Sequence, residues 1–168
     1  MADGSRAHVP EVRVSVPLVQ DYAYIAERLR PDEREQFTAF TGMDDYNPNV
    51  AARAWILTGG LAYTLIDRDG RPFALGWFEQ IRPGVWETSG IGTPEGWARH
   101  WRAITKESRR RMAALFAGGA HRIQIVALAS RTEAHGWYER GLQMQREGVL
   151  RGYCANGADA VIYARTRL

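Results

Sequence analysis

The sequence lacks features that several classes of protein require. Cys154 is its single cysteine, so no disulfide can form within the chain. No apolar run approaches the roughly 20 residues that span a bilayer, and residues 1–14 lack the apolar core of a secretory signal. These absences predict a protein of a reducing, cytoplasmic compartment that has no membrane segment.

Motifs for metal binding and for common nucleophiles are also missing. The four histidines show no metal-ligand spacing, and one cysteine adds no ligand set, so no metal site is predicted. The chain has no G-x-S-x-G, Walker or H-E-x-x-H motif. This argues against the serine hydrolases, P-loop nucleotidases and zinc peptidases that carry them.

The excess of positive charge is small. The formal net charge is +3, and the only tight basic run is Arg109–Arg111. No aromatic residue alternates with these arginines, as a stacking platform for bases would require. The run therefore predicts a solvated helix face, and nucleic acid is not expected as a partner.

What the chain does have is material for one folded domain. It has 168 residues, 45% of them apolar, and includes six Trp, seven Tyr and five Phe. A single core usually serves about 100–200 residues, so we expect one domain. Residues 1–10 are predicted to be a flexible tail, and residues 11–168 to be the domain.

Hydrophobic periodicity and turn residues predict the order of elements. Strands are expected near residues 12–16, 61–67, 73–80, 85–89, 123–129, 144–153 and 160–165, and helices near residues 21–29, 31–40, 50–57, 93–116 and 132–140. The fold class is therefore α+β in the order β-α-α-(α)-β-β-β-α-β-α-β-β. We expect a mixed, mostly antiparallel sheet of six or seven strands flanked by helices.

Two short motifs accompany this order. Residues 87–92 read E-T-S-G-I-G, and residues 137–148 read W-Y-E-R-G-L-Q-M-Q-R-E-G. With the element order they resemble the GCN5-related N-acetyltransferase (GNAT) family, whose cofactor loop is written Q/R-x-x-G-x-G/A and whose later helix leads into Y-E-K-L-G-F-x-x-E-G. The resemblance covers about residues 11–166, which is nearly the whole chain.

The motifs depart from the family pattern in two places. Glu87 stands where the loop has Gln or Arg, and the spacing from Tyr138 to Glu147 is one residue longer than usual. Residues 90–92 also fit the end of a strand. That alternative leaves residues 93–98 as the cofactor loop.

The resemblance implies acetyl-CoA as co-substrate. Glycines at the helix start would let backbone N–H groups approach the pyrophosphate, and nearby basic residues would add charge. The backbone of the fourth strand would bind the pantetheine arm and polarise the thioester carbonyl. The residues concerned are Thr88, Ser89, Gly90, Gly92, Gly96, Arg99 and Ser130, with His100 and Arg102 nearby. A plain capped helix, with an N-cap role for Ser130, is the structural alternative.

Two side chains are candidates for proton transfer. Glu87, with Glu79 in reserve, would take the proton of the attacking amine directly or through a water. Tyr138 stands where the family places the tyrosine that protonates the leaving thiolate. The alternatives are a surface carboxylate and a core tyrosine. Asp44 and Asp45, in a stretch rich in turn formers, would attract a cationic amine to the acceptor site.

The residues leave two functions open. The first is an N-acyltransferase that acts on an amine of a small molecule or peptide. The second rests on residues 147–159, which resemble GNAT-like proteins of short-tailed phages. This second function is that of a catalytically inactive protein with the same fold, which binds protein partners in the host cytoplasm or the virion as a structural or assembly protein. Trp86 or Ile91 would then fill the cleft that an enzyme keeps open.

Overall fold

Seven strands and five helices form over residues 11–167, the range that this computed structural model describes. The predicted tail, residues 1–10, lies outside the described residues. The strands are β1 (Val12–Ser15), β2 (Leu61–Asp67), β3 (Pro72–Arg82), β4 (Val85–Gly92), β5 (Arg122–Leu128), β6 (Gln145–Leu150) and β7 (Ala160–Thr166). The helices are α1 (Val19–Glu27), α2 (Pro31–Thr41), α3 (Pro48–Leu57), α4 (Pro94–Ala117) and α5 (Thr132–Gly136), and a π-helical turn over Trp137–Gly141 continues α5. The predicted element order is confirmed.

The strands belong to one sheet in the order β1-β2-β3-β4-β5-β7-β6. Every neighbouring pair is antiparallel except β4 and β5, which are parallel. The sheet is therefore mixed and mostly antiparallel, and the expected α+β class is confirmed.

The helices cover both faces of this sheet with apolar clusters. On one face, α1 and α3 pack on β3 and β4 in a cluster that includes Ile25, Trp55 and Trp77. On the other face, α4 packs on β2, β3 and β5 around Met112 and Ile123. Neither α4 nor any other helix within residues 11–167 is long and apolar enough to cross a membrane.

The bounds of two elements differ from the prediction for local reasons. α3 begins at Pro48, before residue 50, because the Asn47 side chain accepts hydrogen bonds from the first N–H groups of the helix. β4 runs to Gly92, beyond residue 89, because it keeps pairing with β3 as far as Ala74. Residues 90–92 therefore belong to the strand, and residues 93–98 form the start of α4.

The helix predicted over residues 132–140 is instead a short α-helix followed by a π-helical turn. The N–H of Leu142 bonds to the carbonyl of Trp137, five residues earlier, at 3.0 Å. A π-helical turn holds one residue more than an α-helical turn. It therefore absorbs the additional residue between Tyr138 and Glu147. β6 is also shorter than the predicted strand, residues 144–153.

Two glycines let α4 lie against β3. A Cβ atom on Gly96 would lie 2.7 Å from the carbonyl oxygen of Phe73. One on Gly92 would lie 3.0 Å from the same oxygen and 2.8 Å from Nε1 of Trp97. Both positions are too close for ordinary van der Waals contact, so packing alone accounts for a glycine at each.

We expect Gly96→Val to lower the free energy of unfolding by about 1–3 kcal/mol, because its side chain would push against the backbone at Phe73. Gly148→Val is the matched control, since a Cβ atom at Gly148 has nothing within 4 Å. That variant should stay within about 0.5 kcal/mol of the wild type. Urea titration followed by circular dichroism measures both, and equal midpoints for Gly96→Val and wild type would contradict the packing role.

Candidate active site

The one parallel strand pair of the sheet comes apart along its length. β4 and β5 pair only where residues 85–87 meet residues 122–124. Both strands continue, β4 to Gly92 and β5 to Leu128, without pairing with each other. Because β4 stays with β3 and β5 stays with β7, the sheet opens here as a wedge.

Helix α2 closes the wide end of the wedge through two side chains, which we call the α2 clamp. Oε2 of Glu33 accepts a hydrogen bond from the N–H of Gly92 at 3.0 Å. Oε1 of Gln36 accepts one from the N–H of Leu128 at 2.9 Å. A buried backbone N–H without a partner costs about 1–3 kcal/mol. The clamp therefore replaces strand pairing that the wedge removes.

Two arginines hold the α2 clamp in place. Arg131 is buried, and it donates to Oδ2 of Asp32 at 2.9 Å and to Oε1 of Gln36 at 3.0 Å. Arg30 donates to Oε1 of Glu33 at 2.9 Å. Burial raises the pKa of Glu33, and the guanidinium groups of Arg30 and Arg131 act against that rise. The result is a buried polar network in which each charge has a partner.

Two cavities open at the wedge, on opposite faces of the sheet. The α4–α5 cavity lies between those two helices and has a volume of about 470 Å³. The α2–α3 cavity lies beside α2 and α3 and has a volume of about 220 Å³. They share four lining residues: Glu33, Gly90, Ile125 and Tyr138. The wedge therefore joins the two faces of the sheet at these residues.

Aromatic rings and arginines line the α4–α5 cavity. Its walls include Trp97, Trp101, Trp137, Arg30 and Arg131. Nε of Arg30 and Nε1 of Trp97 are buried and have no hydrogen-bond partner within residues 11–167. The Arg30 guanidinium lies over the Trp97 ring, 4.5 Å from its centroid. Aromatic walls of this kind fit the alkyl part of a ligand.

The backbone of β4 presents alternate N–H groups to the wedge. The N–H of Thr93 bonds to the carbonyl of Phe73 in β3 at 2.9 Å, whereas that of Gly92 points to the α2 clamp. Successive residues of a strand alternate in direction. The N–H groups of Thr88 and Gly90 therefore face the wedge, whereas that of Ser89, the third residue with this predicted backbone role, faces β3. The binding of pantetheine by this strand stays a prediction.

The other predicted residues of this region are spread over different surfaces. The side chain of Ser89 lines the α2–α3 cavity. Gly90 lines both cavities, and a Cβ atom there would meet only the carbonyl oxygen of Leu75, at 3.5 Å. Ser130 is exposed, donates to Glu35 at 3.2 Å and lines neither cavity. Its predicted contact with a cofactor stays a prediction.

The start of α4 uses most of its own N–H groups. Pro94 has none, that of Gly96 bonds to Oγ1 of Thr93 at 3.0 Å, and that of Trp97 bonds to the Thr93 carbonyl at 3.1 Å. Gly96 and Arg99 line a third cavity, of about 330 Å³, beside the turn between β2 and β3. Fewer free donors therefore face the α4–α5 cavity than the glycine pattern predicts.

Glu87 reaches the α2–α3 cavity with its carboxylate held in place. Its Oε2 accepts a hydrogen bond from Nε2 of Gln124 at 3.0 Å. Oε1 of Gln124 accepts one from Nε of Arg122 at 2.9 Å, which fixes the orientation of the amide. Glu79, the reserve candidate, lies opposite Glu87 on β3, but it is exposed and lines neither cavity.

Tyr138 is buried where the two cavities meet. Burial raises the pKa of its hydroxyl, and Arg131 acts in the opposite direction. The phenol is therefore protonated at neutral pH and can donate a proton or a hydrogen bond. Tyr138 therefore lies at the wedge, and its role as the acid stays a prediction.

Sequence reasoning missed the polar network around the α2 clamp. Glu33 and Gln36 are three residues apart on a predicted helix, which places them on one face and was the available signal. Their partners lie 59 and 92 residues away, so nothing local could identify them. Asp44 and Asp45, which were expected near the acceptor site, are exposed and line neither cavity. Within residues 11–167, no group of three or more His, Cys, Asp or Glu could hold a metal ion.

We expect Gln36→Ala to lower the free energy of unfolding by about 1–3 kcal/mol, because the N–H of Leu128 would lose its partner. Glu35→Ala on the same helix is the control, since Glu35 is exposed, and it should change stability by about 0.5 kcal/mol or less. Denaturant titration measures both variants. If Gln36→Ala is as stable as the control, the clamp does not hold β5.

The comparisons with known proteins match structures only. No protein-family model and no curated protein sequence matches this chain. A GNAT-family acetyltransferase from Bacillus anthracis superposes with a TM-score of 0.69 at 12% identity, over 94% of this chain and 95% of that one. A GCN5-related N-acetyltransferase from Kribbella flavida superposes with a TM-score of 0.68 at 15% identity, over 94% of this chain and 98% of that one. A GNAT phosphinothricin acetyltransferase from Sinorhizobium meliloti, in complex with AcCoA, superposes with a TM-score of 0.65 at 14% identity, over 94% of this chain and 89% of that one.

These similarities extend over nearly the whole of each chain. At such low identity they establish the fold, and the activity has to be argued from the site. The resemblance of residues 147–159 to phage proteins is not shown by these structures. The chain has the fold of the GCN5-related N-acetyltransferases.

Proposed function

We propose that this protein is an N-acyltransferase that moves the acetyl group of acetyl-CoA to an amine. One observation carries the proposal: a wedge in the sheet joins two cavities at Gly90, Ile125 and Tyr138. Two substrates that enter from opposite faces would meet at these residues. The acetyltransferase from Sinorhizobium meliloti, whose structure contains AcCoA, supports the choice of acyl donor.

The α4–α5 cavity is the side that suits acetyl-CoA. Its volume of about 470 Å³ lies in the range of ordinary ligand sites, roughly 300–1,000 Å³. Its aromatic walls, which include Trp97 and Trp137, fit the alkyl part of the cofactor. The N–H groups of Thr88 and Gly90 would bind the pantetheine arm as an additional strand binds to a sheet edge.

Acetyl-CoA supplies a thioester carbonyl that an amine can attack. The N–H of Gly90 would donate to the carbonyl oxygen and stabilise the negative charge that develops there. Glu87 would take a proton from the attacking nitrogen, and Tyr138 would give one to the leaving sulfur. A C–N bond forms and a C–S bond breaks, and the proton taken up by Glu87 balances the one released by Tyr138.

The alternative function finds less support in the arrangement of the site. An inactive phage virion or assembly protein would be expected to have its cleft filled by Trp86 or Ile91. Trp86 packs against the core cluster under α4, and Ile91 lies in the cluster under α1 and α3. Both cavities stay open beside them. We therefore retain the enzyme as the proposal.

Gly90→Leu should weaken binding of acetyl-CoA without unfolding the protein, because the side chain would project into open space at the wedge. We expect micromolar binding by the wild type and at least about tenfold weaker binding by the variant, which is about 1.4 kcal/mol. Calorimetric titration with acetyl-CoA and with CoA measures this. Gly148→Leu, on the edge strand β6, is the matched control and should bind as the wild type does.

The absence of binding would contradict the proposal. If the folded wild-type protein gives no heat with either ligand up to millimolar concentration, it does not use acetyl-CoA. Substitutions at Gly92 and Gly96 are poor tests of the same point, since they disturb packing against Phe73.

Glu87→Gln should lower kcat/KM for an accepted amine by about 100-fold or more, as loss of a general base does. Release of free CoA thiol, measured across a panel of amines, gives the rate. Glu79→Gln removes a carboxylate directly opposite on β3 and should change the rate less than about twofold. Loss of activity in Glu79→Gln with full activity in Glu87→Gln would reverse the assignment of the base.

A further inference from the structure

The α2–α3 cavity has an unusual concentration of aromatic side chains. Its aromatic lining residues are Phe37, Phe40, Trp55, Trp77, Tyr138 and Tyr153. They come from α2, α3, β3, the π-helical turn and the connection between β6 and β7. Aromatic side chains contribute large apolar surfaces that hold rings edge to face or in offset stacks. The cavity therefore favours an occupant with a flat, apolar body.

The aromatic walls are held in place before any ligand arrives. Phe37 meets Trp55 edge to face, with ring centroids 5.7 Å apart and planes at 76°. Phe40 and Tyr153 pack in the same way at 6.1 Å and 74°. Such pairs are favourable in themselves, so the cavity does not have to be formed by the ligand. Tyr153 is 55% exposed and stands at the rim.

The charge of this cavity has one sign. Glu33 and Glu87 line it, and no Lys, Arg or His does. Glu33 is matched by Arg30 and by Arg131. Glu87 accepts a hydrogen bond from the neutral amide of Gln124 and makes no ion pair within residues 11–167. Glu87 is therefore the carboxylate of the lining that has no ion-pair partner and is available to bind one cation.

We infer that the acceptor is an arylalkylamine, with its nitrogen at Glu87 and its ring among the aromatic walls. The volume of about 220 Å³ lies below the range of sites for drug-sized ligands, roughly 300–1,000 Å³. It suits one ring system on a short alkyl chain. This inference rests on the proposed function for the transfer step, whereas the binding of the amine follows from the cavity alone.

The same chemistry excludes other amines. An amino acid would bring its own carboxylate close to Glu87, where no basic side chain lines the cavity to neutralise it. A polyamine has no ring to fill the aromatic walls, and its second ammonium group could meet only Glu79, which lies opposite Glu87 but outside the cavity. An arylalkylamine has one charge and one apolar body, so it satisfies both constraints.

The transfer step also explains how the product leaves. The bound ammonium group loses one proton to Glu87, and its nitrogen forms a bond to the acetyl carbon while the C–S bond breaks. The second proton of the nitrogen replaces the one that Tyr138 gives to the leaving sulfur. The product is a neutral amide. It has lost the charge that attracted the amine to Glu87, so the amide is held less tightly than the amine.

Calorimetric titration of the protein without acetyl-CoA tests the inference with matched pairs of ligands. Tryptamine and 2-phenylethylamine should bind at least about tenfold more tightly than tryptophan and phenylalanine, which differ from them by one carboxylate. Spermidine should bind more weakly than either arylalkylamine. Equal binding of the amine and its amino acid, or preference for spermidine, would overturn the inference.

Variants at the two ends of the cavity locate the bound amine. Glu87→Gln should weaken tryptamine binding roughly tenfold or more, since a charged partner is lost. Tyr153→Ala should weaken it roughly 2- to 12-fold, and Tyr153→Phe should restore it, because the ring and not the hydroxyl makes the contact. Tyr153 is exposed at the rim, so the change does not open the core. Unchanged binding in both Glu87→Gln and Tyr153→Ala would place the amine elsewhere and overturn the inference.

The two proposals fail in different ways. Acetyl-CoA binding together with acetylation of amino acids or polyamines, and none of arylalkylamines, overturns the substrate class and keeps the acyltransferase. Tight binding of arylalkylamines without any acetyl-CoA binding keeps the ligand class and overturns the acyltransferase.

Discussion

The structure of the wedge depends on hydrogen bonds to the backbone N–H groups that β4 and β5 leave unpaired where the two strands separate. A sheet that opens in its middle leaves donors of both strands inside the protein, and each would cost free energy if it stayed unpaired. Glu33 and Gln36 meet this requirement from α2, one on each strand. The helix thus keeps the wedge open at a fixed width while it seals its end.

The residues that hold the fold here are also residues of the site. Glu33 bonds to β4 and lines both cavities, and Arg131 supports Gln36 while it lines the α4–α5 cavity. On the opposite face, the ion pair of Arg122 with Glu147 fixes Gln124, which in turn orients Glu87. The same hydrogen bonds therefore stabilise the fold and position the side chains of the site. A substitution that breaks one of them affects both.

The sequence predicted the elements well because their signals are local. The apolar run at residues 123–129 is β5 within one residue, and Pro94 marks the start of α4. Three of the candidate site residues, Glu87, Gly90 and Tyr138, line one cavity at the wedge, and their roles stay predictions. Gly96 was given a role in binding because a glycine pattern does not reveal that its neighbour is Phe73. The α2 clamp could not be predicted, since it joins residues 59 and 92 positions apart.

The two cavities at the wedge differ in the charge of their lining residues. Under the proposed function, this difference decides which substrate each cavity suits. The charged residues that line the α4–α5 cavity have both signs and include Arg30 and Arg131, whereas those that line the α2–α3 cavity are the carboxylates Glu33 and Glu87. Under the proposed function, a cationic acceptor is attracted to the α2–α3 cavity, whereas an anionic donor finds arginines only in the lining of the α4–α5 cavity. If the protein transfers an acetyl group as proposed, the two substrates would occupy different cavities and could be bound at the same time. Tyr138 and Gly90 line both cavities, so the protonated phenol and this N–H lie where charge would develop in the proposed transfer.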